Sequence, residues 1–124
     1  ALMLPVSAPF HSALMQPAAE AMRAALAGVD KRAPAVPLVA NVLAAPIDDP
    51  DAIAARLVEQ VTGRVRWRET VEWFAANGVA TLCEVGAGKV LSGLARRIDR
   101  NLVAANIGSP ADIDAFYERM VSGE

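Results

Sequence analysis

His11 is the one histidine among 124 residues, and it stands in the run Val6-Ser7-Ala8-Pro9-Phe10-His11-Ser12. An imidazole is a general base near neutral pH, able to take a proton from a hydroxyl or thiol nucleophile. The nucleophile itself is harder to find. Ser7, Ser12, Ser92 and Cys83 are candidates, and none stands in a Gly-x-Ser-x-Gly elbow. Ser12 is better explained as a helix cap, and Cys83 as a small strand residue. A base without a partner implies that the partner lies elsewhere. A lone histidine is also commonly a surface or hydrogen-bonded structural residue, so position alone leaves both readings open.

Two further segments invite chemistry. Gly86-Ala87-Gly88 follows an apolar run, as a dinucleotide-binding turn would, but position 91 is Leu where the third glycine belongs. The acidic residue expected about 20 positions on is missing, since the chain there reads Ala104-Ala105-Asn106. The glycines are better read as a tight strand-to-helix turn. Arg64, Arg66 and Arg68 alternate with Val65 and Trp67. They read as a solvated helix start or as a patch for an acidic partner or phosphate group.

The elements that would position these groups alternate along the chain. Leu2 to Val6 reads as a buried strand, and Ser12 caps a helix carrying Leu14, Met15, Ala18, Met22, Ala25 and Leu26, stopped at Gly28. His11 would then sit on a strand-to-helix turn, where open α/β sheets gather their sites. Pro37 to Val42 reads as a second strand. Asp48-Asp49-Pro50 starts a helix with Ile53, Leu57 and Val61 on its inner face, closed by Gly63. Trp67, Val71, Phe74 and Ala75 mark the next helix, ending at Asn77-Gly78. Thr81 to Val85 is a strand, followed by a helix with Leu91, Leu94 and Ile98 inward and Arg96 and Arg97 in its last turn. Leu102 to Asn106 is a fourth strand. Ser109-Pro110-Ala111-Asp112 caps a final helix with Ile113, Phe116, Tyr117 and Met120 inward. Strands separated by helices predict an α/β fold with a mainly parallel sheet.

Composition narrows the function classes. The chain is 54% hydrophobic and 21% charged with net charge −2, which suits one folded domain and not a disordered segment. Few aromatics and a near-neutral balance argue against nucleic acid. No apolar run approaches the roughly 20 residues that span a bilayer. One cysteine and one histidine make a metal site improbable, and the single cysteine suits a reducing compartment. The first residues lack a basic leader, so a cytoplasmic location is expected. The chain begins without Met, almost inside a strand, as a piece of something longer would.

Four segments, in order, carry a family resemblance. Leu4-Pro5-Val6-Ser7-Ala8-Pro9-Phe10-His11-Ser12-Ala13-Leu14-Met15 resembles the histidine motif of malonyl-CoA:acyl carrier protein transacylases. Pro37 to Val42 looks like their next strand. Val65-Arg66-Trp67 with Val71-Glu72 resembles their Pro-Val-x-Trp segment. Glu84-Val85-Gly86-Ala87-Gly88-Lys89-Val90-Leu91 resembles their Glu-x-Gly-Pro-Gly-x-Val-Leu segment. Ala87 replaces a Pro, and Arg64 stands where a Pro often precedes Val-x-Trp. The resemblance implies that residues 1–124 are the C-terminal part of the acyltransferase catalytic domain, within an α/β-hydrolase-like parallel sheet flanked by helices. The family's Gly-His-Ser-Leu-Gly elbow, its carboxylate-binding Arg and its ferredoxin-like small subdomain have no counterpart here and would lie upstream.

What it implies for chemistry is ping-pong acyl transfer in fatty acid biosynthesis, from malonyl-CoA to acyl carrier protein, with the coenzyme A thioester as substrate and no further cofactor. His11 would be the base, oriented by a main-chain carbonyl at the position of Gln60. Phe10 would shape the acyl pocket, and the arginines would meet the acidic carrier. Two alternatives remain: a non-catalytic carrier-binding module on the same scaffold, and a nucleotide-binding domain using Gly86 and Gly88.

Overall fold

A computed structural model describes residues 8–122, apart from the side chain of Met120. It is an α/β fold of helices and two small sheets, divided within one helix into an N-terminal unit ending at Thr70 and a C-terminal unit from Val71. The strand expected over residues 2–6 lies outside the described residues.

In the N-terminal unit, a 3₁₀ turn at Ala13–Met15 leads into α1 (Gln16–Ala27), ended at Gly28. Strand β1 (Leu38–Ala40) pairs antiparallel with β2 (Ala45–Ile47). This corrects the expected parallel sheet for this segment. Four residues separate the two strands, and a connection that short joins only antiparallel neighbours, since a parallel pair needs a long crossover. Ala44 closes the turn in the left-handed region, at φ 54°. Helix α2 (Pro50–Thr62) starts as expected, with the Asp49 carboxylate accepting from Ala52 N–H at 2.7 Å and Pro50 in the first turn. Its buried position is Val58, while Leu57, expected inward, is exposed. Helices α1 and α2 pack together, and Ala19, Ala40 and Val58 are buried.

Helix α3 (Trp67–Ala76) carries Thr70 and Val71, both fully buried. In the C-terminal unit, β3 (Thr81–Val85) pairs parallel with β4 (Val103–Ile107) through the crossover helix α4 (Val90–Ile98), and α5 (Pro110–Ser122) follows. This is the βαβ unit that the alternation predicts. The helix faces differ from expectation. On α4 the buried residues are Ser92 and Ala95, whereas Leu91 and Leu94 are exposed; on α5, Ile113 and Tyr117 are exposed. A two-stranded sheet is too narrow to cover a full apolar stripe: α4 is seated by the small residues Ser92 and Ala95, and α5 is covered, among its described residues, only at Asp112 and Phe116, both half-buried.

Candidate functional site

The turn before α1 is held by its own polar groups. Ser12 Oγ–H donates to the Pro9 carbonyl at 2.8 Å, the same Oγ accepts from Leu14 N–H at 3.3 Å, and Met15 N–H donates to the Ser12 carbonyl at 3.0 Å. Inside this knot His11 adopts φ 57°. A left-handed backbone at a side-chain-bearing residue costs energy and persists only where surroundings enforce it. It leaves the exposed imidazole beside the last turns of α2.

There, His11 Nδ1 lies 2.9 Å from the main-chain carbonyl oxygen of Gln60. A carbonyl oxygen only accepts, so Nδ1 carries the hydrogen and Nε2 carries the lone pair. The ring is therefore set in the tautomer whose outer nitrogen is basic. The Gln60 side-chain Nε2 is 3.3 Å from His11 Nδ1 and 3.3 Å from the Gly63 carbonyl. Since Nδ1 is already a donor, that amide donates to Gly63, and its Oε1 is buried without a partner. Phe10, the residue before His11 in the chain, exposes 56% of its surface, so it fills no core.

The arginine cluster splits. Arg66 Nε and Nη2 donate to the two carboxylate oxygens of Glu69 at 2.8 and 2.9 Å, and Nη1 donates to the Leu43 carbonyl at 2.8 Å. Arg66 N–H also donates to the Asn41 carbonyl at 2.9 Å. Arg66 thus clamps the β1–β2 turn to the start of α3, which corrects its expected place in a docking patch. The pair holds the Glu69 carboxyl below its usual range, chiefly through the Arg66 hydrogen bond, with smaller contributions from Arg64 and Arg68. Arg64 and Arg68 are exposed.

In the C-terminal unit the glycine turn is closed to outside anions. Gly86 and Gly88 have φ 139° and 96°, which glycine adopts without strain. The Glu84 carboxylate turns back from β3 and accepts from Leu91 N–H at 3.2 Å and Ser92 N–H at 2.9 Å. Those N–H groups are the ones a phosphate would use, and Glu84 is held below the usual carboxylate range mainly by the Ser92 backbone bond. Asn106 Nδ2 donates to the Gly88 carbonyl at 2.6 Å and reaches those of Glu84 and Gly86 at 3.3 and 3.4 Å. The nucleotide-binding reading therefore fails on occupancy. Ser92 is buried, its Oγ–H donating to the Lys89 carbonyl at 3.3 Å, and Cys83 is half-buried within β3. Among the described residues no group of three or more His, Cys, Asp or Glu could hold a metal ion, and no helix is long and apolar enough to cross a membrane.

No family model matches the chain. Malonyl CoA-acyl carrier protein transacylase of Escherichia coli K12 is 46% identical over 118 residues, covering 95% of this chain and 38% of the relative. The chain is homologous to the C-terminal portion of the malonyl-CoA:acyl carrier protein transacylases. A solved acyl-carrier-protein S-malonyltransferase from Bartonella henselae superposes with a TM-score of 0.84 at 60% identity, over 98% of this chain and 38% of that one. A second solved transacylase, 40% identical with a TM-score of 0.82 over 94% of this chain and 38% of its own, is in complex with its type II polyketide acyl carrier protein. The chain thus spans well under half the length of the transacylases it matches.

Sequence reasoning missed two structural roles. The Glu84 cap bridges seven positions to Leu91, a spacing that no local helix rule contains. The Arg66–Glu69 pair has helical i, i+3 spacing, and that signal was legible.

Proposed function

We propose that the protein containing this chain transfers a malonyl group from coenzyme A to acyl carrier protein, with His11 as general base. The observation that carries the reading is the bond from His11 Nδ1 to the Gln60 carbonyl at 2.9 Å. A serine hydroxyl from outside this sequence attacks the thioester carbonyl while His11 Nε2 takes its proton. Backbone N–H groups hold the resulting oxyanion. The carbon–sulfur bond then breaks, and the proton returns from Nε2 to the coenzyme A sulfur. In the second half the carrier's thiol gives its proton to Nε2 and attacks the malonyl ester, and the serine leaves with that proton. A carbonyl behind the imidazole sets the tautomer without adding the negative charge that an Asp would supply. No cofactor beyond the substrates enters.

Phe10, adjacent to the base in sequence and exposed, is assigned to the acyl pocket, where its ring would occupy the room of a 2-methyl branch. Arg64 and Arg68 are assigned to the acidic carrier. The solved carrier complex of a relative supports that partner class. We further assign residues 1–124 to the C-terminal part of the catalytic domain. There β3 and β4 extend a larger α/β-hydrolase-like parallel sheet, with the small ferredoxin-like subdomain also outside this sequence. A parallel pair alone is not a stable sheet, and the exposure of Val85 and Val103 is what further covering elements would remove. The cytoplasm is the assigned location.

The test is to trap the acyl-enzyme. Incubating the intact protein with malonyl-CoA and mapping the adduct by peptide mass spectrometry should find one malonyl ester, on a serine outside residues 1–124. An adduct on Ser7, Ser12 or Ser92, or none at all, overturns the reading.

A further inference from the structure

The carbonyl that meets His11 belongs to the last turn of α2. In a continuing helix the Gln60 carbonyl would accept from the N–H four residues on, that of Arg64. Gly63 prevents this. Its own N–H still closes the helix, donating to the Glu59 carbonyl at 2.8 Å. Its ψ of 153° then swings the next peptide out of the helix and carries the Arg64 N–H away. The Gln60 carbonyl is left as a helix-end acceptor, and His11 Nδ1 takes it at 2.9 Å.

Residue 63 ends the helix this way only because it has no side chain. A Cβ there would stand 2.8 Å from the Glu59 carbonyl oxygen and 3.1 Å from Val42 Cγ2, both inside ordinary van der Waals contact. A φ of −83° with ψ 153° is open to any residue, so the demand is for space and not for backbone freedom. Neither neighbour yields easily. The Glu59 carbonyl is helix backbone. Val42 sits in the β1–β2 turn between two residues that Arg66 holds, through its N–H to the Asn41 carbonyl at 2.9 Å and its Nη1 to the Leu43 carbonyl at 2.8 Å. Gly63 also ties down the Gln60 side chain, whose Nε2 donates to the Gly63 carbonyl at 3.3 Å. That amide nitrogen faces Nδ1 at 3.3 Å, so the main-chain oxygen is the acceptor that the ring hydrogen finds.

We propose that Gly63 is a positioning residue for acyl transfer: by ending α2 against Val42 it delivers the Gln60 carbonyl to His11 Nδ1 and so keeps Nε2 basic. This rests on the reading of His11 as the base. A methyl group at position 63 must displace the Glu59 carbonyl or the hairpin turn. A shift of the Glu59 carbonyl moves that of Gln60, its neighbour, and a shift of the turn loosens the end of α2 that holds it. No side-chain substitution deletes a main-chain acceptor, so the residue that frees it is where the contact can be broken.

The test compares Gly63→Ala with Gly28→Ala in the intact protein. Gly28 also follows a helix, and a Cβ there meets only the Ala25 carbonyl at 4.0 Å. Ring-nitrogen NMR reads the tautomer, with the His11 signals identified by their loss in His11→Ala. The wild type should show two well-separated signals, from a protonated Nδ1 and a bare Nε2. In Gly63→Ala they should converge, with kcat lowered about tenfold and the KM for malonyl-CoA within about twofold. Gly28→Ala should match the wild type in both readouts. Wild-type ring signals in Gly63→Ala, or an equal change in Gly28→Ala, overturn the proposal. Where Gly63→Ala does not fold, Gly63→Ala/Val42→Ala is compared with Val42→Ala. Trimming Val42 leaves the contact with the Glu59 carbonyl, so the double variant should still show converged signals and a kcat about threefold below that of Val42→Ala; equality overturns the proposal. Failure of the underlying reading shows separately, as a His11→Ala variant that transfers malonyl at the wild-type rate.

Discussion

The His11 turn and the glycine turn are both connections leading into a helix, and they spend their polar groups in opposite ways. At the glycine turn the helix N–H groups are taken by Glu84 and the turn carbonyls by Asn106. Little is left to offer a ligand. At the His11 turn, Ser12 satisfies the local backbone and Gln60 satisfies one ring nitrogen, which leaves the other ring nitrogen basic and outward. A turn that resembles a ligand loop can be pure structure, and the measure is whether a polar atom remains unspent. The same measure separates Arg66, which is consumed by Glu69 and Leu43, from its exposed neighbour Arg64.

The contrast breaks most sharply at the base. His11→Ala in the intact protein should lower malonyl transfer by at least about 10³-fold, because a serine without its base is a poor nucleophile. Steady-state turnover near wild type would place His11 with the structural turns. Next in size is Phe10→Ser. Removing the ring should raise methylmalonyl transfer relative to malonyl by roughly 10-fold or more, the scale at which one misfitting methyl is rejected. An unmoved ratio of kcat/KM values would mean that Phe10 shapes nothing.

Arg64→Glu should raise the KM for acyl carrier protein roughly two- to fivefold at low salt and flatten its salt dependence, the scale of one exposed charge pair. Arg66→Gln should instead lower the melting temperature, with kcat changed little. If the two variants behave alike, the distinction drawn between Arg64 and Arg66 is wrong.

The smallest effect on turnover belongs to Glu84→Gln, which should leave kcat within about twofold while lowering the melting midpoint at neutral pH. Glu84 and Asp112 both have carboxyls held below their usual range in the fold. Their stabilisation is therefore full above the unfolded-state pKa and is lost as pH falls through the lower folded value. Melting curves against pH should show the wild type losing stability in acid, with Glu84→Gln converging on it there. A constant gap at every pH would show that the charge of Glu84 is not what caps α4.

Much of this was legible from sequence where the signal is local. Thr81–Val85 matches its expected bounds, and Asp49-Pro50 and Ser109 to Asp112 start helices as their cap chemistry dictates. The β1–β2 hairpin was not legible, because its turn, Asn41 to Ala44, carries no glycine and places Ala44 in the left-handed region. Helix faces were misread at Leu91, Leu94, Ile113 and Tyr117, since periodicity reports which side is apolar and not how much surface a neighbour covers. Gln60 entered through the family resemblance alone. A main-chain acceptor has no residue-type signature, so no pattern of side chains would have picked it out.

The bond from His11 to Gln60 spans 49 residues of chain. Closing a flexible loop of that length costs on the order of 3–4 kcal/mol, and one hydrogen bond returns about 1 kcal/mol net. The contact cannot nucleate itself; packing of α1 on α2 must come first and bring the carbonyl into place. The imidazole's tautomer is thus a late product of folding, and its ring-nitrogen NMR signal would follow the arrival of tertiary order in this half of the chain. A compact state with helices formed but unpacked would keep its secondary structure and show a histidine exchanging freely between tautomers.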